Sequence, residues 1–177
     1  GDFTVAAGDL TVSAGDLTVS AGSVTATGFV STDAGSNNFR AGPLAGDALI
    51  AGSSYNTTLG YGSGSDLTVG IQNTLVGSAS GLNIIDASYN IAVGSNALAA
   101  DTYGSRSVAI GYSSLAAQNF TSATNSYNTA VGFQAGYVIS TGTNNTILGG
   151  LAGDALTTGT NNVLLGMKTG TNGINLT

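Results

Sequence analysis

Two regular patterns of apolar and polar residues divide the chain. In residues 1–28 a seven-residue unit repeats as variants of Gly-Asp-Leu-Thr-Val-Ser-Ala, in which apolar side chains alternate with threonine. Alternation over four or five residues is typical of a short, half-buried strand, and the Ala-Gly-Asp between units favours a turn. Glycine in every heptad disfavours a coiled coil. The pattern predicts a narrow β shaft over residues 1–29 and a transition over 30–37.

A longer repeat, with the core Asn-x-x-apolar-Gly, occupies residues 38–170. Its eight copies are spaced by 18, 17, 17, 17, 21, 17 and 17 residues and begin at Asn38, Asn56, Asn73, Asn90, Ser107, Asn128, Asn145 and Asn162. The glycine four residues on is Gly42, Gly60, Gly77, Gly94, Gly111, Gly132, Gly149 and Gly166. Fixed periods of this length indicate stacked repeats. The sequence therefore predicts an all-β fold, a parallel β-roll or β-solenoid of short strands, with a tail over 171–177.

Stacking the copies aligns three columns, which lie one, two and three residues after the repeat Asn. The first and third columns are rich in Val, Ile, Leu and Thr, and they point to the same face of a strand. This composition predicts that they line the interior of the coil. The middle column, which points the other way, holds Thr58, Leu75, Ala92, Ala109, Ala130, Ile147 and Leu164.

The uncharged middle column predicts an oligomer. A strand that is apolar on both faces is buried on both, and a thin coil has only one interior. The second face therefore needs a partner, for which another copy of the chain is the simplest choice. We expect a parallel homotrimer whose interface comprises Ala92, Ala109, Ala130, Ile147 and Leu164.

The ends of the repeat core have predictable roles. We expect the repeat glycine where the chain turns sharply, at positive φ. The repeat Asn is expected to stack on its neighbours and to hydrogen-bond along the axis, as Asn ladders do in stacked sheets. A coil of seventeen residues has room for two strands and two turns.

One copy is four residues longer than its neighbours. The extra residues lie within residues 119–126, and an insertion in a solenoid predicts a surface loop, here over residues 120–126. Since loops on rigid scaffolds carry function, we expect the receptor contact at Phe120, Thr121, Ser122 and Tyr127. Aromatic residues also flank other repeats, where packing is favoured over glycan binding.

Charge and composition exclude several functions. Only 7% of residues are charged, and the net charge of −6 includes just Arg40, Arg106 and Lys168 as cations. Such a chain offers no basic stripe for nucleic acid. Every apolar run is interrupted by glycine or a polar residue, which argues against membrane insertion.

The residue types for catalysis are scarce. The chain has no His, Cys or Glu, so most general bases and activated nucleophiles are missing, and we expect no enzyme and no cofactor. Asp101 with Arg106, and Asp154 near Lys168, are expected to be solvated turn charges. Asp2, Asp9 and Asp16 share one heptad position. Turn capping is favoured for them over calcium binding, so no metal site is expected.

The repeats resemble those of known fibre proteins. Asn90-Ile-Ala-Val-Gly94, Ser107-Val-Ala-Ile-Gly111 and Asn128-Thr-Ala-Val-Gly132 resemble the head repeats of trimeric autotransporter adhesins. The stretch from Asn128 to Gly136, continued through Thr143–Gly149, is similar to repeats of bacteriophage tail fibres, and the heptads are similar to their shafts. The resemblance covers residues 1–166 and is specific for architecture.

The resemblance implies a fold, a function and a location. The fold is a left-handed parallel β-roll that assembles as a trimer, and the function is that of a structural segment in a virion tail fibre or extracellular adhesin. Its partners would be copies of itself and a surface glycan or other host receptor. A self-polymerising extracellular filament stays open as an alternative. An ice-binding solenoid is the weaker alternative, because Ile91, Val108 and Val163 interrupt the threonine column.

Overall fold

A computed structural model of the chain describes residues 37–167. This segment is all-β, without a helix, and its parallel strands stack as a β-solenoid of about seven turns. The predicted fold class is thereby confirmed for the repeat region. The heptad shaft, the transition up to residue 36 and the tail lie outside the described residues.

One short strand from each repeat joins a single parallel sheet. Its eight strands follow one another along the axis, and every repeat core pairs with the core of the next. They are β1 (Phe39–Ala41), β2 (Thr57–Leu59), β3 (Thr74–Val76), β4 (Ile91–Val93), β6 (Val108–Ile110), β8 (Thr129–Val131), β9 (Thr146–Leu148) and β10 (Val163–Leu165). Seven intervals of about 4.8 Å give a sheet roughly 34 Å long.

The rest of each coil is mostly turn rather than a second strand. Within residues 37–167 the second sheet consists of only β5 (Gly104–Ser105) and β7 (Thr124–Asn125), which are parallel. The prediction of two strands in every coil is therefore wrong. Single backbone hydrogen bonds between coils replace the second strand, such as the one from Thr68 N to Ile85 O, at 2.9 Å. A segment with several left-handed residues per coil, among them Leu98 and Gly81, turns too often to stay extended.

The repeat Asn residues form the predicted ladder inside the coil. Asn73 is fully buried, and both its backbone N–H and its Nδ2 donate to Oδ1 of Asn56, at 2.9 and 3.1 Å. Its Nδ2 also donates to the carbonyl of Ala87, at 2.9 Å, and its Oδ1 accepts the backbone N–H of Asn90, at 2.9 Å. One amide side chain thus joins three successive coils, in a place where unpaired polar groups would be costly.

The middle column lines the interior, contrary to its predicted role as an oligomer interface. The side chains of Leu75, Ala92, Ala109, Ala130 and Ile147 are 0% exposed within the single chain, and Leu164 at the last strand packs against the same cluster. The physical reason is the alternation of the strand, which places the middle column on the same face as the repeat Asn. The amides of the Asn ladder lie in the interior, so the first and third columns, which are on the other face of the strand, point outward.

Large and small side chains alternate inside each coil to fill the narrow interior. Where the middle column holds Ala92 or Ala109, the residue four places after the repeat glycine is Leu98 or Leu115, and both leucines are fully buried. Where the middle column holds Leu75, the corresponding turn residue is Gly81, at which an added Cβ would lie 2.9 Å from a Leu75 methyl. Close packing of this kind explains why alanine in the middle column is no sign of a second chain.

Gly77→Ala is expected to destabilise the solenoid by about 1–3 kcal/mol, because the added Cβ collides with the next coil at a φ that already favours glycine. Gly77 has φ +128°, and its added Cβ would lie 2.6 Å from the carbonyl carbon of Gly94. Gly52 is the matched control, with φ +107° and an added Cβ that meets only a Val69 methyl, at 3.9 Å. Urea unfolding should show the larger loss for Gly77→Ala. Equal losses for the two variants would contradict a steric role of the close approach.

Candidate functional site

The outward face of the eight-stranded sheet is a continuous uncharged surface. It consists of the first and third columns, from Phe39 and Ala41 to Val163 and Leu165, and none of these sixteen residues is charged. Large apolar side chains are exposed along its whole length: Leu59 by 42%, Ile91 by 40%, Ile110 by 38%, Leu148 by 49% and Val163 by 54%. An apolar surface that continues over a whole sheet is typical of an interaction site.

The insertion lies between Phe120 and Thr124. Up to Phe120 the coils keep the seventeen-residue spacing, since Tyr103 N donates to Phe120 O at 3.2 Å. At β7 the offset is 20, since Gly104 pairs with Thr124, and it reaches 21 at β8, where Val108 pairs with Thr129. The residues between, 121–123, are exposed. The predicted loop is therefore shorter than expected, because β7 returns the chain to the stack.

The predicted receptor residues separate into two groups. Thr121, Ser122 and Tyr127 are exposed, and Tyr127 is exposed by 52%. Phe120 is only 6% exposed, so its expected place at the surface is wrong. Its ring fills the space beside Gly104, at which an added Cβ would lie 2.7 Å from the Phe120 ring.

A buried polar network bridges the ladder where the insertion interrupts it. Ser107 stands where the other repeats have Asn, and its hydroxyl accepts from Gln118 Nε2, at 2.8 Å. Gln118 Oε1 in turn accepts from Asn128 Nδ2, at 2.8 Å. The Ser107 hydroxyl is also hydrogen-bonded to the hydroxyl of Ser126. Gln118 therefore supplies the amide that the ladder lacks at Ser107.

Asp101 completes this network and is not the solvated turn charge that the sequence predicts. It is 0% exposed, and its Oδ2 accepts from Gln118 Nε2 at 2.6 Å. Its Oδ1 accepts the backbone N–H groups of Gly104, at 3.0 Å, and Phe120, at 3.1 Å. Burial raises the pKa of Asp101 above its ordinary value, while the hydrogen bonds to the carboxylate oppose that shift. The arrangement fixes the coil around the insertion.

A sequence signal for this network exists in the column seven residues after the repeat glycine. That column is Leu49, Leu67, Ile84, Asp101, Gln118, Ile139 and Leu156. Two polar residues interrupt it in the two coils next to the insertion, at a position where the neighbouring leucines and isoleucines are buried. The two polar residues therefore indicate that the coils at the insertion have a polar interior at this position.

Arg106 is exposed at the edge of the sheet and does not pair with Asp101. Its guanidinium carbon lies 4.7 Å from the centroid of the Tyr89 ring, and its Nη1 donates to Asn125 Oδ1, at 2.5 Å. Tyr89, Arg106 and Tyr127 precede the repeat cores of three successive coils, so they form one column, which we call the edge column. Asn125, at the end of the insertion, ties this column to β7.

Stacked aromatic rings also occur on the opposite edge of the strands. Tyr112 and Phe133 directly follow repeat glycines, and their rings stack with centroids 5.4 Å apart and an interplanar angle of 12°. Both remain about half exposed, at 48% and 54%. Aromatic residues therefore border the outward face on both sides, as the sequence pattern indicates.

The described residues hold few groups for chemistry. Within residues 37–167 no three His, Cys, Asp or Glu side chains come together as metal ligands. Over the same span there is no helix of the length and hydrophobicity that would cross a membrane. The aspartates of the heptads, which were considered for calcium, lie outside this span. No protein-family model, curated protein or solved structure matches the chain.

Proposed function

We propose that this chain is a structural segment of a virion tail fibre or extracellular adhesin, in which three parallel copies associate and support attachment to a host surface. The observation that carries the proposal is the uncharged outward face, which runs along all eight strands of the sheet. A copy in parallel orientation has the same coil spacing, so its outward columns meet those of its neighbour coil by coil. Closed rotational symmetry then buries the face in every copy.

The corrected interface uses different residues from those expected on sequence grounds. The first and third columns replace the middle column, whose side chains cannot contact another copy because they are buried inside the coil. The composition of the face, with Val, Ile, Leu and Thr, suits contact between flat sheets. The resemblance to adhesin heads and tail fibres supports three copies over other closed arrangements.

A self-polymerising extracellular filament is the alternative function, since it can be built from the same stacked copies.

Light scattering coupled to size exclusion tests the assembly. The wild-type chain should have about three times its mass of 17.2 kDa. Ile110→Asp, which places a charge on the outward face, should give a folded monomer, whereas Ala155→Asp, at an exposed turn, should leave the trimer intact. A wild-type monomer at micromolar concentration, or a trimer of Ile110→Asp, would refute the proposed interface. Electron micrographs of the same sample distinguish short capped rods from endless filaments.

A further inference from the structure

We infer that the edge column at Tyr89, Arg106 and Tyr127 binds an acidic oligosaccharide, with the sugar carboxylate on Arg106. This inference rests on the proposed attachment function and names the ligand class of that function. It starts from the charge of the site. The chain has a net charge of −6, and an exposed cation stands directly beside the insertion.

The guanidinium of Arg106 is held in place but keeps most of its hydrogen-bonding capacity. Tyr89 lies under its face, and Asn125 takes one N–H through Nη1. Among residues 37–167 this is the only hydrogen bond that the Arg106 side chain makes, and no aspartate there forms an ion pair with it. A planar fork of donors that is already ordered suits bidentate recognition of a carboxylate.

The tyrosines on either side of Arg106 give the site its length. The rings of Tyr89 and Tyr127 are 42% and 52% exposed, and the two residues are two coils apart. Two coil spacings of about 4.8 Å separate them by roughly 10 Å, which is the length of two linked sugar rings. Aromatic rings pack against the apolar faces of sugars, while their hydroxyl groups stay wet. An acidic disaccharide unit therefore matches the column in length and in charge.

The backbone of the edge column is preorganised. Tyr89, Arg106 and Tyr127 all have left-handed φ, at 64°, 64° and 49°. Inter-coil hydrogen bonds hold Tyr89 N on Ile71 O, at 3.0 Å, and Arg106 N on Ser88 O, at 3.1 Å. Binding thus orders few additional torsions, which favours affinity for a small ligand. The insertion contributes Asn125, which holds the Arg106 side chain. The other coils have no Asn at the equivalent position.

Two pairs of soluble probes test the inference on the full chain, by NMR or calorimetric titration. One pair is 3′-sialyllactose and lactose, and the other is a hyaluronan tetrasaccharide and chitotetraose. We expect at least one acidic probe to bind at least tenfold more tightly than its neutral partner. Arg106→Gln should abolish that difference, and Arg106→Lys should restore only part of it, because the fork is lost.

A tyrosine at an equivalent position in another coil distinguishes binding at the site from non-specific binding to exposed tyrosines. Tyr127→Ala should weaken the acidic probe by at least fivefold, whereas Tyr55→Ala, in an equivalent place in the first coil with 62% exposure, should leave it unchanged. Three results would overturn the inference. The acidic and neutral probes could bind equally well, or neither acidic probe could bind at about 10 mM. A poly-glutamate peptide could also bind as tightly as the acidic probe. Ile110→Asp distinguishes the two proposals: a monomer that still binds the acidic probe keeps the site, and a trimer of that variant refutes only the assembly.

Discussion

Ala109→Asp is expected to unfold the central coils of the isolated chain, and not merely to separate intact chains. Ala109 is 0% exposed, and it lies in the interior between the equivalent residues Ala92 and Ala130. A carboxylate there would have no counter-charge in the apolar cluster, which costs about 3–5 kcal/mol. Thermal melting of the variant should therefore show a large loss of stability at neutral pH.

The neighbouring residue provides the control. Ile110 is 38% exposed on the opposite face of the same strand, so Ile110→Asp should keep the coil folded and lose much less stability than Ala109→Asp. Acidification to about pH 4 should partly rescue Ala109→Asp, since a buried carboxyl has a raised pKa and the neutral form fits better. A folded monomer of Ala109→Asp with unchanged melting would instead return the middle column to the oligomer interface.

The periodicity of the sequence was sufficient to predict the fold class. Asn and Gly recur at one spacing, and they have the predicted roles: Asn73 joins neighbouring coils, and Gly77 turns the chain at positive φ. The first role depends on a side-chain amide that reaches the next coil and the second on backbone conformation, so neither depends on the apolar packing of the interior. A stacked, parallel, all-β arrangement follows from that repetition before any side-chain packing is considered.

The predicted orientation of the strands is wrong, because side-chain bulk is a poor sign of burial in so narrow a coil. Val, Ile and Leu of the first and third columns are larger than Ala92 or Ala109, yet Leu98 and Leu115 already fill the interior. The repeat Asn is the better signal, because a row of amides that hydrogen-bond to one another along the axis lies in the interior, away from water. Its position fixes the inward face, and the middle column follows by alternation.

The insertion was found from its length, but its packing was not predicted. Four extra residues predict a loop, and they do not reveal that Phe120 turns inward or that Thr124 pairs with Gly104. Those contacts depend on Asp101 and Gln118, which are 17 residues apart in sequence and meet only after the coils stack. The receptor site proposed there changes accordingly, from the loop tip to the edge column beside it.

The second large effect is expected from the Asn ladder, for which Asn73→Ala is the most direct test. The substitution removes the donor to the Ala87 carbonyl and the acceptor of the Asn90 N–H. Both partner groups remain in the interior, and alanine leaves a space in place of a fully buried amide. Each orphaned polar group costs about 1–3 kcal/mol, so we expect a loss of about 2–6 kcal/mol.

Hydrogen exchange locates this loss along the solenoid, because repeat proteins open locally and each coil contacts only its neighbours. In Asn73→Ala, protection should fall first at the amides of β2, β3 and β4, while β9 and β10 keep theirs. Asn119→Ala is the control. Asn119 is exposed, and among residues 37–167 its side chain makes one hydrogen bond, which its Oδ1 accepts from the Thr102 hydroxyl, at 3.0 Å, so the change in stability should stay within about 0.5 kcal/mol. Unchanged protection of β3 in Asn73→Ala would mean that water or a relaxed backbone satisfies the two groups, and that stacking of the coils rests on the apolar interior instead of the ladder.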